Sequence, residues 1–142
     1  MRDATDAGLR PSYHNDGSVS PPSPLGNIQT VVTRTSQSGT PHGLEQRVSL
    51  DEALRAQTID AAFILGRERE VGSIEVGKWA DFVQLDIDPH DVEPMDIEAG
   101  ISVQATWLGG EAIDLVAFER AAGVSDPDPH RHLATVVAQR CC

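Results

Sequence analysis

Between residues 49 and 66 the apolar side chains fall at Leu50, Ala53, Leu54, Ala61 and Leu65, with Thr58 and Ala62 beside them. That spacing predicts one continuous helix with a single buried face. Ser49 stands three residues before Glu52, the pattern of a capping box, and Asp51 adds negative charge to the first turn. Gly66 supplies the stop. A weaker stripe of Ile28, Val31, Val32 and Thr35 follows Ser23-Pro24, a serine cap with proline in the first turn, and predicts a helix over 24–35. Upstream, Leu9 to Asp16 predicts a short extended piece that delivers His14 and Asp16 to one face, because side chains two apart on a strand point together. Gly17 and the prolines at 21, 22 and 24 then force a loop. A surface loop is expected from Ser36 to Gln46.

The period changes in the second half. Residues 72–86 read G-S-I-E-V-G-K-W-A-D-F-V-Q-L-D: a glycine-bounded turn feeding a strand over 80–86. In that strand Ala80, Phe82 and Gln84 alternate against Asp81, Val83 and Leu85, so neither face is simply polar and cover is expected on both sides. The run D-P-H-D-V-E-P at 88–94 reads as a turn-rich acidic loop. Val103 to Leu108 reads as a second strand, with Gly109-Gly110 turning tightly into Ala112 to Val116. Lys78 and Asp81 are placed to pair across the turn, and Trp79 and Trp107 to cover core edges. Phe118 to Ala122 predicts a short helix ended by two prolines, and Leu133 to Gln139 one last amphipathic turn.

Composition narrows the classes. A chain of 142 residues holds one ordinary domain and is too short for a complete eight-stranded barrel of roughly 250 residues. Eleven basic residues against 22 acidic ones give a net charge of -11, a field that repels phosphate and disfavours nucleic acid or anionic membrane as partner. No apolar run approaches the roughly 20 residues that span a bilayer, and the first ten residues lack the apolar run of a secretory signal. The expected location is cytoplasmic. The two cysteines, Cys141 and Cys142, are adjacent and cannot staple a long loop to each other.

Candidate chemistry is sparse. Asp16, at the end of an extended piece and before a glycine-proline loop, is placed to bind a divalent metal or to take a proton from water; the alternative is an Asx turn with Gly17. His14 on the same face either orients Asp16 and contacts substrate or simply faces solvent beside Tyr13. Arg34 either reaches a ligand carboxylate or complements the dipole at the end of its helix. His42, His90, His130 and His132 read as solvated histidines, since no two share the spacing of H-E-x-x-H or of a zinc finger. Nucleophile-elbow, Walker A and dinucleotide fingerprints are absent from the sequence.

Five segments in order nonetheless carry a resemblance: Y-H-N-D-G-S-V-S-P-P-S-P-L at 13–25, V-V-T-R at 31–34, S-L-D-E-A-L-R-A-Q-T-I-D-A-A at 49–62, G-S-I-E-V-G-K-W-A-D-F at 72–82 and A-T-W-L-G-G at 105–110. Together they resemble the carboxyl-terminal part of the metal-dependent amidohydrolases, in the family 3 or YtcJ-like branch. The resemblance implies an α/β fold, a C-terminal fragment of a TIM-barrel amidohydrolase with part of its small β-sandwich. Residues 1–70 would then hold the last barrel strand, loop and helices, 71–116 part of the composite sandwich, and 117–142 a peripheral tail. It also implies hydrolysis of non-peptide C–N bonds by metal-activated water, with zinc as the expected divalent metal. Asp16 would fall on the catalytic and metal-binding aspartate, and His14 and Arg34 near substrate at the pocket mouth. The family's His-x-His pair, its bridging residue and its later histidine ligands lie outside the matched segments, so this chain alone is expected to hold no metal securely and to be inactive.

That reading raises a packing problem. Without further barrel strands Leu50, Leu54, Leu65 and Val31 have no evident partners, and each exposed side chain forgoes roughly 1.5–3 kcal/mol. The chain is therefore expected to be completed by a missing barrel segment, by a partner chain or by self-association. The alternative function is a non-catalytic interaction protein or subunit built on the same fold and completed in the same way.

Overall fold

In the computed structural model, which describes residues 1–17, 22–114, 116, 117 and 120, five short helices and a three-stranded sheet make a mixed α/β arrangement. The helices are α1 (Arg2–Asp6), α2 (Pro24–Thr33), α3 (Leu50–Gln57), α4 (Ile59–Ile64) and α5 (Ile97–Gly100), with single 3₁₀ turns at Leu44–Gln46 and Pro89–Asp91. The strands are β1 (Phe82–Leu85), β2 (Val103–Leu108) and β3 (Glu111–Ala112), antiparallel in the order β1-β2-β3.

Local signals placed the helix starts. Ser23 accepts from the Gly26 amide at 3.0 Å and Pro24 opens α2. At α3 the capping box is complete: the Glu52 amide donates to Ser49 Oγ at 3.2 Å and the Ser49 amide to Glu52 Oε2 at 2.7 Å. Arg2 adds a two-pronged contact to the same carboxylate, and together these donors hold Glu52 well below its ordinary value, to about 2.

The predicted continuous helix from Ser49 to Leu65 is broken at Thr58, whose φ of -122° and ψ of -96° interrupt the ladder between α3 and α4. Thr58 Oγ1 donates back to the Leu54 carbonyl at 2.8 Å, a bond that competes with regular helix. The bend turns Asp60 inward, where it is buried and takes the Arg10 Nε at 2.7 Å. Arg10 also donates to the Ile59 carbonyl and stacks its guanidinium 4.2 Å over the Phe63 ring. A local Thr58 bond and an ion pair to residue 10 thus both accompany the break. Gly66 stops α4 as expected, with Arg67 donating to the Ala62 carbonyl and Gly66 to that of Phe63.

The apolar faces expected to be orphaned mostly find one another. Ile28 and Val31 of α2 pack with Val48, Ala53, Ile97 and Ile101 in one buried cluster, and Leu50, Leu54, Leu85 and Val92 lie partly buried against it. Each such large side chain contributes about 1.5–3 kcal/mol. Only Leu65 of the four remains outside, 63% exposed, beside exposed Phe63 and Ile64. The unpaired surface lies instead on the sheet and the turn before it: Ile74, Val76, Trp79, Phe82 and Val83 are all exposed, so β1 lacks the cover expected on its two faces.

The hairpin turn Gly109-Gly110 forms as predicted, although β3 is only two residues long. Phe82 stacks on Trp107 across the β1–β2 pair with ring centroids 4.7 Å apart. Trp79, by contrast, stands 62% exposed. The expected Lys78–Asp81 pair does not form. Lys78 Nζ reaches back to Ser73 Oγ at 2.5 Å and Glu75 Oε1 at 3.2 Å, while exposed Asp81 accepts from the Gly109 amide at 2.6 Å and holds the hairpin turn. The acidic loop at 88–94 holds the 3₁₀ turn, and after it comes the unforeseen α5, whose Ile97 is almost fully buried. Of the helix expected at 118–122 only residue 120 is described, and the turn expected at 133–139, with His130, His132, Cys141 and Cys142, lies outside the described residues.

Candidate functional site

Residues 9–15 carry no strand pairing in this chain, and a parallel strand needs a neighbour for its ladder. The two-residue alternation nonetheless survives. Tyr13 and Asn15 turn inward, and His14 and Asp16 are exposed together. Tyr13 is fixed on α3 by its hydroxyl, which donates to the Ala53 carbonyl at 2.5 Å, and by Gln57, whose Nε2 donates to the Tyr13 carbonyl at 3.2 Å. Burial pushes the Tyr13 phenol up, so it is a neutral donor at any physiological pH. Asn15 Oδ1 accepts from the Ser23 amide at 3.1 Å and from Asn27 Nδ2 at 2.7 Å, tying the loop to the first turn of α2.

Asp16 itself takes φ 53°, the left-handed region, which costs most L-residues roughly 1–2 kcal/mol and is best tolerated by Asn and Asp. In this conformation its amide donates to His14 Nδ1 at 2.8 Å. An acceptor nitrogen carries no proton, so the neutral His14 ring holds its hydrogen on Nε2. His14 therefore presents an Nε2–H donor and Asp16 a carboxylate acceptor, both on exposed residues. This orientation does not suit His14 as a metal ligand through Nε2, because that mode needs the proton on Nδ1.

Arg34 sits elsewhere. It is the left-handed C-cap of α2, with φ 56°, and its Nε donates to the His42 carbonyl at 3.1 Å, closing the loop whose Thr35 and Pro41 pair. Asp16 is tied through Asn15 to the other end of the ten-residue helix, a separation of about 15 Å along the axis. The structure thus brings His14 and Asp16 together and leaves Arg34 apart. Among the described residues no group of three His, Cys, Asp or Glu side chains could hold a metal ion, so the donors described in this chain do not fit a complete metal centre. A cleft of about 160 Å³ between Leu9, Arg10 and Pro11 and Glu52, Arg55 and Asp60 contains neither His14 nor Asp16 and falls below the roughly 300 Å³ usual for ligand sites. No helix among the described residues is long and apolar enough to cross a membrane.

Three features were not foreseen, two of them around the His14–Asp16 loop and one apart from it. Tyr13 and Asn15 carry the loop's anchors, and the alternation that singled out His14 and Asp16 could have identified them. Glu98, which accepts from Ser23 Oγ at 2.7 Å, is 75 residues away and gave no local signal. His90, expected to be merely solvated, has Nδ1 2.8 Å from Asp88 and Nε2 2.9 Å from Asp51. Those carboxylates, Asp88 first, raise its pKa.

Comparison with known proteins bears on the whole stretch. A profile of the amidohydrolase family matches residues 1–114. The chain is 37% identical over 110 residues to N-substituted formamide deformylase of Arthrobacter pascens, covering 78% of this chain and 20% of that protein. It is 36% identical over 100 residues to Protein LONG AFTER FAR-RED 3 of Arabidopsis thaliana, covering 70% and 17%. With Putative amidohydrolase YtcJ of Bacillus subtilis the identity is 28% over 102 residues, covering 70% and 19%. The match thus spans about a fifth of the length of these relatives. No solved structure matches the chain.

Proposed function

Because the chain belongs to the amidohydrolase family, we propose that it forms the Asp16-bearing part of a hydrolase acting on non-peptide C–N bonds. The observation that carries this is the His14–Asp16 pair: an exposed aspartate in a left-handed turn whose amide donates to Nδ1 of the exposed His14 ring. Asp16 takes the proton of the attacking water and returns it to the leaving nitrogen, a role that suits a carboxylate held at a rim. His14, through Nε2–H, holds an oxygen of the substrate. Arg34 reaches the same substrate only if that molecule extends about 15 Å along α2.

A divalent metal, zinc by family resemblance, belongs to the completed enzyme, and all but one of its ligands come from outside the residues described here. The rest of the enzyme, in the same polypeptide or a partner chain, covers the exposed surface of Ile74, Val76, Trp79, Phe82 and Val83. A substrate resembling an N-substituted formamide is the first to try, on the strength of the 37% identity to the deformylase.

The test joins this chain to the portion of the Arthrobacter pascens deformylase outside the matched segment and follows hydrolysis of N-substituted formamides. Asp16→Asn is expected to lower kcat by roughly 10²–10⁴ while KM changes little. An unchanged kcat removes Asp16 from the chemistry. A joined protein that assembles but turns over no amide favours the second reading, a non-catalytic subunit that uses the same exposed apolar surface to bind its partner.

A further inference from the structure

We infer that Asn15 is a positioning residue for Asp16, an inference that rests on the proton-carrying role proposed above. Two N–H groups point at one Asn15 atom, the Ser23 amide at 3.1 Å and Asn27 Nδ2 at 2.7 Å, which identifies that atom as the side-chain oxygen. Both donors belong to the start of α2, and that start is itself anchored. Ser23 Oγ accepts from Gly26 at 3.0 Å and donates to Glu98 Oε1 at 2.7 Å, and the Glu98 amide donates to Gln29 Oε1 at 2.9 Å. On the other side of His14, Tyr13 is bonded to α3 through both its hydroxyl and its carbonyl.

The stretch 13–15 is therefore pinned to two different helices, and the backbone must leave Asn15 in a direction set by those pins. Asp16 follows in the left-handed region at φ 53°, the conformation in which its amide reaches His14 Nδ1. Removing the Asn15 oxygen removes both of these bonds to the start of α2, and the Asp16 amide bond to His14 is then left to hold the left-handed turn without that support. The Asp16 carboxylate changes direction as φ changes, and the imidazole loses the N–H that selects its tautomer. In this chain Asn15 touches no reacting atom. It acts through Asp16 and His14, and a misplacement of about 1 Å at such a site costs on the order of a hundredfold in rate.

Nuclear magnetic resonance on the full chain separates this from general loss of structure. The readouts are the HN–Hα coupling of Asp16, which reports φ, and the ring ¹⁵N shifts of His14, which report the tautomer. Asn15→Ala is expected to shift both while the amide signals of α3 to α5 stay in place. Asn15→Asp, which keeps the acceptor oxygen, is expected to restore both. Unchanged Asp16 and His14 signals in Asn15→Ala overturn the inference. If that variant does not fold, Asn27→Ala removes one of the two donors and is read in the same way, with unchanged signals again overturning it. In the joined enzyme, Asn15→Ala is expected to lower kcat about a hundredfold with KM nearly constant; a shifted Asp16 coupling with unchanged kcat also overturns it. Failure of the role given to Asp16 has a different signature, a normal kcat in Asp16→Asn.

Discussion

Gly72 and Gly77 bound the turn that leads to β1, and both adopt positive φ, 92° and 94°. Their surroundings differ. A Cβ placed on Gly77 meets nothing within 4 Å, whereas one on Gly72 meets Ala62 Cβ at 2.7 Å, Ile59 Cα at 2.9 Å and the Thr58 carbonyl at 3.1 Å. Two of those three atoms are backbone at the break between α3 and α4, so they cannot rotate aside. For Gly77→Ala the unfavourable φ costs roughly 1–2 kcal/mol, offset by the roughly 0.4–1 kcal/mol gained from a less flexible unfolded chain. About 1 kcal/mol of destabilisation remains. Gly72→Ala carries the same two contributions and adds overpacking, typically 1–3 kcal/mol. The expected difference between the variants is therefore about 1–3 kcal/mol, with Gly72→Ala the less stable. Urea unfolding followed by circular dichroism, with equal slopes for both proteins, measures it directly. Midpoints that coincide would refute the close approach of residue 72 to the α3–α4 junction, because the φ contribution alone is common to both.

Two further outcomes follow from side chains near the helix starts. Ser49→Ala removes one half of the capping box and is expected to cost about 1 kcal/mol, read as a lower thermal midpoint; an unaltered midpoint would mean that Arg2 and Glu52 hold this helix end without the serine. His90 contacts a carboxylate through each ring nitrogen, and only the imidazolium can donate to both Asp88 and Asp51. Its pKa is raised in the folded state above the ordinary 6.5, so its contribution is complete below that value and is lost as pH rises through the higher folded value. The thermal midpoint is thus expected to fall over that window in the parent chain. In His90→Gln this fall should be absent, and the same fall in both proteins would assign it to another group.

What the sequence determined by itself was local. Ser23-Pro24, the Ser49–Glu52 box, Gly66 and Gly109-Gly110 each act within a few residues on the chain, and each helix end or turn stands where its signal lies. The pairing of His14 with Asp16 on one face was legible for the same reason, since alternation is a property of neighbouring residues. Family membership was legible too, because five short segments occur in order. The tertiary structure decided whatever depended on distant partners. Arg10 and Asp60 sit 50 residues apart, and their ion pair accompanies the break of a helix that apolar periodicity alone makes continuous. Ile97 and Ile101 supply the partners for Ile28, Val31 and Ala53, so faces that looked orphaned are buried while the sheet, expected to be covered, is not. Arg34 falls at the far end of α2 from Asp16 because the loop after residue 13 is pinned to the helix start. Periodicity marks which side of an element is apolar; which other element meets that side is set by the whole chain's packing, and no local pattern encodes it.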